Sequence, residues 1–156
     1  MTRAFALLLL LPLAGCSRAA PDATPEGAVR LFVEKMESAA DDPRAMKEAY
    51  GLLGPHARAN LKERADRASK GQGRRYDAWE MLAEGRFGLK FRPKTLTSQI
   101  AGTDATVEVR GEGADERASV HCTRESPSWR VEPELPPPPQ QTGRPTPPEP
   151  PPFPRR

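Results

Sequence analysis

The side chains that could carry out chemistry in this sequence are few and widely separated. The chain of 156 residues contains two cysteines, Cys16 and Cys122, and two histidines, His56 and His121. Two histidines with no carboxylate or cysteine at ligand spacing do not make a zinc site, and we predict neither a metal nor a cofactor. Cys122 alternates with polar residues, as expected for a small buried apolar side chain rather than a nucleophile.

Cys16 stands in a different context, at the end of an apolar run. Arg3 precedes the run Ala4–Leu13, and small residues lie just before the cysteine. This layout is typical of a secretory signal peptide, and the run is too short to span a bilayer. The segment Leu13-Ala14-Gly15-Cys16 resembles the lipobox of bacterial lipoproteins. That resemblance implies cleavage between Gly15 and Cys16 and acylation of Cys16; the alternative is an ordinary signal peptide with a chance cysteine.

Acylation of Cys16 would make the mature chain a membrane-anchored protein of the cell envelope. Two or more acyl chains hold a protein stably on a membrane, whereas one does not. Ser17 follows the cysteine in place of the aspartate of the inner-membrane retention pattern, so we expect the outer membrane rather than the inner one. We interpret residues 1–15 as the signal peptide and 16–24 as the lipidated cysteine with a polar tether.

Proline and charge divide the rest of the chain into two regions. Eleven of the 19 prolines lie in residues 136–156, which contain one large apolar side chain, Phe153. We predict a disordered, proline-rich tail there, because it cannot bury enough surface to offset its ordering entropy. Residues 25–135 contain 19 basic and 19 acidic residues, so the net charge of +3 comes from the chain ends. A neutral domain argues against binding to nucleic acid.

The first half of residues 25–135 has helical patterning. Thr24-Pro25-Glu26 and Asp42-Pro43 are helix start signals, and Gly54-Pro55 ends the second predicted helix. A third helix is predicted from Pro55 to about Lys70, and a short one near Asp77–Glu84.

The second half alternates with period two, as β-strands do. Four short runs between residues 95 and 132 each carry apolar side chains on alternate positions. Helices followed by such strands predict an α+β domain, with the helices packed on a four-stranded antiparallel sheet. The segments T-P-E-G-A-V-R-L-F-V-E-K, A-Y-G-L-L-G-P-H-A-R and S-W-R-V-E resemble the nuclear transport factor 2-like superfamily, in particular its exported bacterial members. That resemblance implies a curved sheet wrapped around the first helix as a cone.

Enzymes of that cone fold use Asp, His or Tyr groups that project into its mouth. The predicted inward face of the sheet carries no carboxylate and no histidine, and its residues are Leu96, Ser98, Ile100, Ala105, Val107, Val109, Ala118, Val120, Cys122, Trp129 and Val131. We therefore predict no acid–base pair on the sheet and no enzymatic activity. Tyr50, Tyr76 and Trp79 are candidates for a pocket or for the core.

One stretch of the domain is strongly basic. Residues 56–75 have a local charge of +5, from Arg58, Lys62, Arg64, Arg67, Lys70, Arg74 and Arg75 against two acids. This patch is either a solvated helix face or a site for an anionic partner, such as anionic lipid or an acidic envelope protein.

The sequence as a whole favours an anchored, non-enzymatic lipoprotein that binds a partner or a small ligand. The alternatives are an enzyme on the cone fold that uses Tyr50 or Tyr76, and a passive structural protein of the cell envelope.

Overall fold

The computed structural model describes residues 19–82 and 89–137 of the chain. The predicted signal peptide, Cys16, most of the proline-rich tail and the predicted helix end at Glu84 lie outside those ranges. Within them, three α-helices precede four β-strands, and the helices pack on an antiparallel sheet. The predicted α+β class is confirmed.

Proline at the first helical position begins each of the three helices, α1 (Pro25–Ser38), α2 (Pro43–Gly51) and α3 (Pro55–Gln72). Proline suits that position because the N–H of the first helical residue has no acceptor within the helix, so a residue without an N–H loses no hydrogen bond there. The Thr24 hydroxyl caps α1 by accepting from the Gly27 N–H at 3.1 Å, and the Asp42 carboxylate caps α2 by accepting from the Arg44 N–H at 2.8 Å.

α2 ends three residues before the predicted stop at Gly54. The backbone of residues 52–54 pairs instead with the last strand of the sheet. Gly54 N–H donates to the Val131 carbonyl at 2.8 Å, and Val131 N–H donates to the Leu52 carbonyl at 2.8 Å. This long-range pairing competes with the last helical turn and stops the helix early.

α3 begins at Pro55 as predicted and runs two residues beyond Lys70. Gly73 ends it with φ of +67°, the left-handed conformation that glycine adopts without steric cost. The short predicted helix is a 3₁₀ helix at Ala78–Leu82, and a 3₁₀ turn at Pro21–Ala23 precedes α1.

The sheet is a four-stranded meander of β1 (Thr95–Ala101), β2 (Asp104–Arg110), β3 (Arg117–Glu125) and β4 (Ser128–Glu132), in sequential order. Cross-strand pairing puts the predicted apolar residues on one face; Val107, for example, lies opposite both Ser98 and Val120. Ile100 shares that face but is 58% exposed, so its predicted inward burial is wrong. It lies near the end of the edge strand, beyond Ser98, where α1 contacts β1.

The core lies between this sheet face and the helices. Its largest fully buried side chains include Val29 of α1, Leu61 of α3 and Leu82 of the 3₁₀ helix, together with Leu53, Val107, Val109 and Val131. α1 contacts β1, β2 and β4, while α3 packs on the 3₁₀ helix. One flank of α3 is therefore left to face solvent beside the segment that connects it to the 3₁₀ helix.

Candidate functional site

The seven basic residues of the predicted patch lie on different sides of α3 and in the segment that follows it. At about 100° per residue, the four basic residues in the later turns of the helix spread over about 200° of its circumference, in the order Lys62, Lys70, Arg67 and Arg64. Arg74 and Arg75 come after the helix end at Gln72. The patch is therefore not one continuous face.

Four of these residues form salt bridges. Arg58 bonds Glu125 of β3 at 2.5 Å, Lys62 bonds Asp66 at 2.9 Å, and Arg74 bonds Glu80 at 2.6 Å, while Arg67 pairs with Glu63. Glu80 and Glu125 lie outside the window from which the local charge of +5 was counted, so the sequence overstated the positive potential.

The remaining basic residues differ from one another in their surroundings. Arg64 donates to the Pro136 carbonyl at 2.6 Å and to the Asn60 side chain at 2.7 Å. Lys70 and Arg75 are exposed and form no salt bridge within the part of the chain that the structure describes. Arg64 also keeps its positive charge, because both of its partners are neutral, but it is half-buried, whereas these two cations are exposed.

Both exposed cations line an open groove of 590 Å³ beside α3. Tyr50 from α2 and Tyr76 line it as well, and both rings are half-buried against the core. The rest of the lining is Lys62, Ala65, Asp66, Ser69, Asp77 and Ala78. The structure thus brings together two of the predicted pocket tyrosines and three residues of the basic patch. Trp79, the third candidate, is half-buried on the adjoining 3₁₀ helix.

Hydrogen bonds fix Tyr76 and the wall of the groove against α3. The Ser69 hydroxyl accepts from the Tyr76 N–H at 2.9 Å and donates to the Ala65 carbonyl at 2.7 Å. The Arg74 guanidinium lies over the Tyr76 ring, 4.6 Å from its centroid. A cation over an aromatic face is attracted by the ring quadrupole, so the tyrosine is held from two sides.

A side-chain cap also holds Asp77, which lines the groove. Glu80 accepts from the Asp77 N–H at 2.7 Å and so caps the 3₁₀ helix. Two acids three residues apart ahead of an apolar pair are typical of a helix start, so this local pattern could have predicted the cap.

The groove has positive potential around Asp66. The hydrogen bond from Lys62 lowers the pKa of the Asp66 carboxyl, and the charges of Lys62, Lys70 and Arg75 lower it further. The same contact raises the pKa of the Lys62 ammonium. Asp66 is consequently an ionised partner of Lys62 at neutral pH and is poorly suited to act as a general acid.

The two histidines lie near each other, away from the groove beside α3. Both line a second surface groove of 430 Å³, with Glu132 and Glu134 nearby. His121 is on the outward face, as predicted, and its Nδ1 lies 3.5 Å from the Thr106 hydroxyl. Within the described residues, no group of three or more His, Cys, Asp or Glu side chains could hold a metal ion.

Cys122 is buried in the sheet, as predicted, between Ala105 and Val131. Burial, with smaller contributions from the charges of Glu26 and Glu132, raises the pKa of its thiol to about 12. Since the thiolate is the nucleophile, this thiol is inert at neutral pH.

Three carboxylates join distant elements through contacts that the sequence did not predict. Glu132 of β4 accepts from the His56 N–H at 3.0 Å and the Ala57 N–H at 2.9 Å, so it caps α3 from across the fold. Glu26 of α1 accepts from the Ser98 N–H of β1 at 3.0 Å. Asp22 bonds Arg130 of β4 at 2.7 Å. The separations in sequence, 72 to 108 residues, left no local pattern to predict these contacts.

Gly15 and Cys16 lie outside the described residues. Among the residues that are described, no helix has the length and apolar character needed to cross a membrane.

No protein family, curated protein or solved structure gives a significant match to this chain.

Proposed function

We propose that this chain is an exported lipoprotein, anchored through acylated Cys16, whose α+β domain binds a partner or ligand without catalysing a reaction. The anchor rests on the Leu13-Ala14-Gly15-Cys16 motif at the end of an apolar run. In this proposal the chain resides in the cell envelope, on the outer membrane rather than the inner one.

The observation that carries the binding role is the groove beside α3. Tyr50 and Tyr76 offer aromatic surface with a hydroxyl at its edge, and Lys70 and Arg75 offer cationic donors. Elsewhere in the described residues, the shifted pKa values of Asp22, Glu26 and Lys35 accompany structural bonds, and that of Cys122 comes from burial. Such a groove suits recognition of an anionic group next to an apolar one.

We also propose that the sheet curves around α1 as in the nuclear transport factor 2-like cone. The support is that α1 contacts β1 and β4, the two outer strands, as well as β2. A sheet that curves toward α1 would bring both outer strands within reach of the helix. A crystal structure with a flat sheet would contradict the proposal.

An enzyme on the same fold is the second candidate, because Tyr50, Tyr76 and Asp66 line one groove. A carboxyl acting as general acid near neutral pH needs a raised pKa, whereas that of Asp66 is lowered. The groove is also open rather than deep. Both observations favour binding over catalysis.

The anchor is tested by substituting Cys16. Cells expressing the full chain are labelled with a radioactive fatty acid, and the chain is recovered from the membrane fraction. We expect label and a processed chain for the wild type and for Cys122→Ala, and an unlabelled precursor for Cys16→Ala. Normal processing and membrane recovery of Cys16→Ala would refute the anchor.

The binding role is tested by site-specific photocrosslinking in intact cells. A photoreactive residue at exposed Asp77, in the groove, should give a discrete adduct, while one at exposed Ser119, on the outer sheet face, should not. Mass spectrometry then identifies the adduct. Equal labelling from both positions would point to a passive envelope role.

A further inference from the structure

The groove beside α3 contains positive charge that the domain itself does not neutralise. Of its three cations, Lys62 is bonded to Asp66, while Lys70 and Arg75 form no salt bridge within residues 19–82 and 89–137. Asp77 is the other carboxylate in the lining, so three cations and two carboxylates leave the groove with a net charge of +1. Two exposed cations therefore line the same groove as a half-buried tyrosine.

A chain of ion pairs holds the end of the tether beside the start of α3. Asp22 bonds Arg130 at 2.7 Å, Arg130 lies 3.5 Å from Glu125, and Glu125 bonds Arg58 in the first turn of α3 at 2.5 Å. Lys62 is one helical turn beyond Arg58, about 6 Å along the axis, and Lys70 is about 12 Å further. These ion pairs thus link the end of the tether to the first turn of α3, the helix whose later turns line the groove.

The tether is short enough to matter for orientation. Five residues lie between Cys16 and Asp22, and the six steps from one to the other span at most about 20 Å when fully extended. A domain anchored at Cys16 therefore keeps the start of α3 near the bilayer surface, which raises the effective concentration of lipid headgroups at the groove.

We propose that the groove docks on anionic lipid headgroups of the membrane to which the chain is anchored, with Lys70 and Arg75 on the phosphates and Tyr76 at the headgroup level. This proposal rests on the proposed anchor. Lysine and arginine are attracted to anionic membrane surfaces, and tyrosine is enriched where membrane meets water. A small soluble ligand fits less well, since pockets for such ligands enclose most of the ligand surface and this groove is open.

The test measures how the full chain partitions between vesicles and solution. The chain carries Cys16→Ser so that no acyl chain contributes, and the vesicles contain either phosphatidylcholine alone or equal parts of phosphatidylcholine and phosphatidylglycerol. The ratio of the two partition constants cancels the contribution of the apolar leader. Trp79 fluorescence gives a second signal next to the groove, since Trp129 is 4% exposed and shielded.

The double variant Lys70→Gln/Arg75→Gln should lower that ratio by roughly 25-fold, or about fivefold for each cation. The matched control Lys90→Gln/Arg117→Gln removes the same charge from exposed positions outside the groove and should change the ratio less than about twofold. High salt should abolish the wild-type preference, because it screens exposed charges. Since Lys70 and Arg75 are exposed, both variants should keep the wild-type melting temperature.

Three results would overturn the proposal. The first is equal loss in both double variants, which indicates a diffuse charge effect. The second is release of the wild type from vesicles by millimolar glycerol phosphate, which indicates a site for a small anion. The third is an unchanged ratio in Lys70→Gln/Arg75→Gln combined with loss of a crosslinked acidic protein in cells. Each leaves the anchor untouched, because acylation of Cys16 is measured separately.

Discussion

Glu132 is the residue on which the start of α3 depends. Gly54 precedes that helix and has no side chain to cap it, so the Glu132 carboxylate accepts from the His56 and Ala57 N–H groups. A helix N-terminus carries unpaired N–H donors and partial positive charge, and both favour a carboxylate there. The same contact leaves no room for a side chain at position 54.

Gly54→Ala should therefore destabilise the domain. A Cβ at position 54 would lie 2.2 Å from a Glu132 carboxylate oxygen, so the cap must move. We expect the free energy of unfolding in urea to fall by about 1–3 kcal/mol. The control is Gly51→Ala, where a Cβ meets nothing within 4 Å; at the end of α2 it should raise stability by about 0.5 kcal/mol. Equal effects of the two substitutions would contradict the role of Glu132.

Asp22 makes the stability of the domain depend on pH. The hydrogen bond from Arg130 lowers the pKa of its carboxyl below the model-compound value of 3.8; burial opposes this, while Ser128 and the Arg130 charge reinforce it. Because the folded-state pKa is lowered, this carboxyl becomes protonated at a higher pH in the unfolded chain than in the folded one as the pH falls. The pair thus stabilises the fold above pH 3.8, and this contribution is lost as the pH falls through the folded-state pKa.

Asp22→Asn should accordingly be less stable than the wild type by about 1 kcal/mol near pH 6, since both side chains of the pair are mostly buried. The difference should close as the pH falls below 3.8 and through the lowered folded-state pKa of Asp22. Urea denaturation across this range measures it. Asp41→Asn, at an exposed position, serves as the charge-matched control and should follow the wild type; a gap independent of pH would mean that the salt bridge is not its source.

At the scale of elements, the starts of α1 and α2 could be predicted from the sequence because their signals are local. Thr24-Pro25 and Asp42-Pro43 contain both the cap and the first helical residue, and the predicted helices begin at those prolines. The end of α2 was not readable, because the competing partner of residues 52–54 is Val131 of β4. The face of each strand followed from period two, but the exposure of Ile100 depends on where α1 crosses the sheet.

The same limit applies to the candidate site. The basic residues of α3 were visible in the sequence, but which of them stay free depends on Glu80 and Glu125. Tyr50 and Tyr76 were candidates for a pocket, and only the packing of α2 against the 3₁₀ helix brings them to one groove. Residue types were predictable, whereas charge compensation between distant elements was not.

β1 is an edge strand whose own sequence does little to prevent it from pairing with a strand of another molecule. The segment Thr95–Ala101 contains no charge and no proline, and Ile100 is exposed on it. Such edges pair readily with other strands unless something covers them. Here the Glu26 carboxylate accepts from the Ser98 N–H and so covers one donor of the edge. Burial tends to raise the pKa of the Glu26 carboxyl, but hydrogen bonds from Ser98 and Thr24 outweigh it and lower that pKa. The carboxylate therefore stays charged at the edge.

Glu26→Ala should expose this edge and promote self-association. We expect sedimentation velocity to detect dimers or larger species at concentrations where the wild type is monomeric, and a lower free energy of unfolding by about 1–2 kcal/mol. Glu34→Ala removes an exposed carboxylate from the same helix and should do neither. Adding Ile100→Lys to Glu26→Ala should restore the monomer; persistent association would place the contact elsewhere.

At the scale of the whole molecule, the distribution of charge and proline divides the chain into a neutral region and a basic, proline-rich one. Residues 25–135 are neutral overall and hold six prolines, whereas residues 136–156 hold eleven prolines and a net charge of +2. The boundary is not where the composition changes. Leu135 packs on the core, and the Pro136 carbonyl accepts from Arg64 at 2.6 Å and from Asn60 at 3.4 Å, so the first tail residue still belongs to the domain.

Two truncations should locate that boundary energetically. A chain ending at Pro137 loses the proline-rich segment but keeps every contact just described, and its free energy of unfolding should stay within about 0.5 kcal/mol of the full chain. A chain ending at Glu132 also loses Leu135 and the Pro136 carbonyl, and should be less stable by about 1–2 kcal/mol. Urea denaturation of the three chains compares them under identical conditions. A large loss in the chain ending at Pro137 would mean that the tail packs on the domain. We do not expect this loss, because a proline-rich segment with one large apolar side chain can bury little surface.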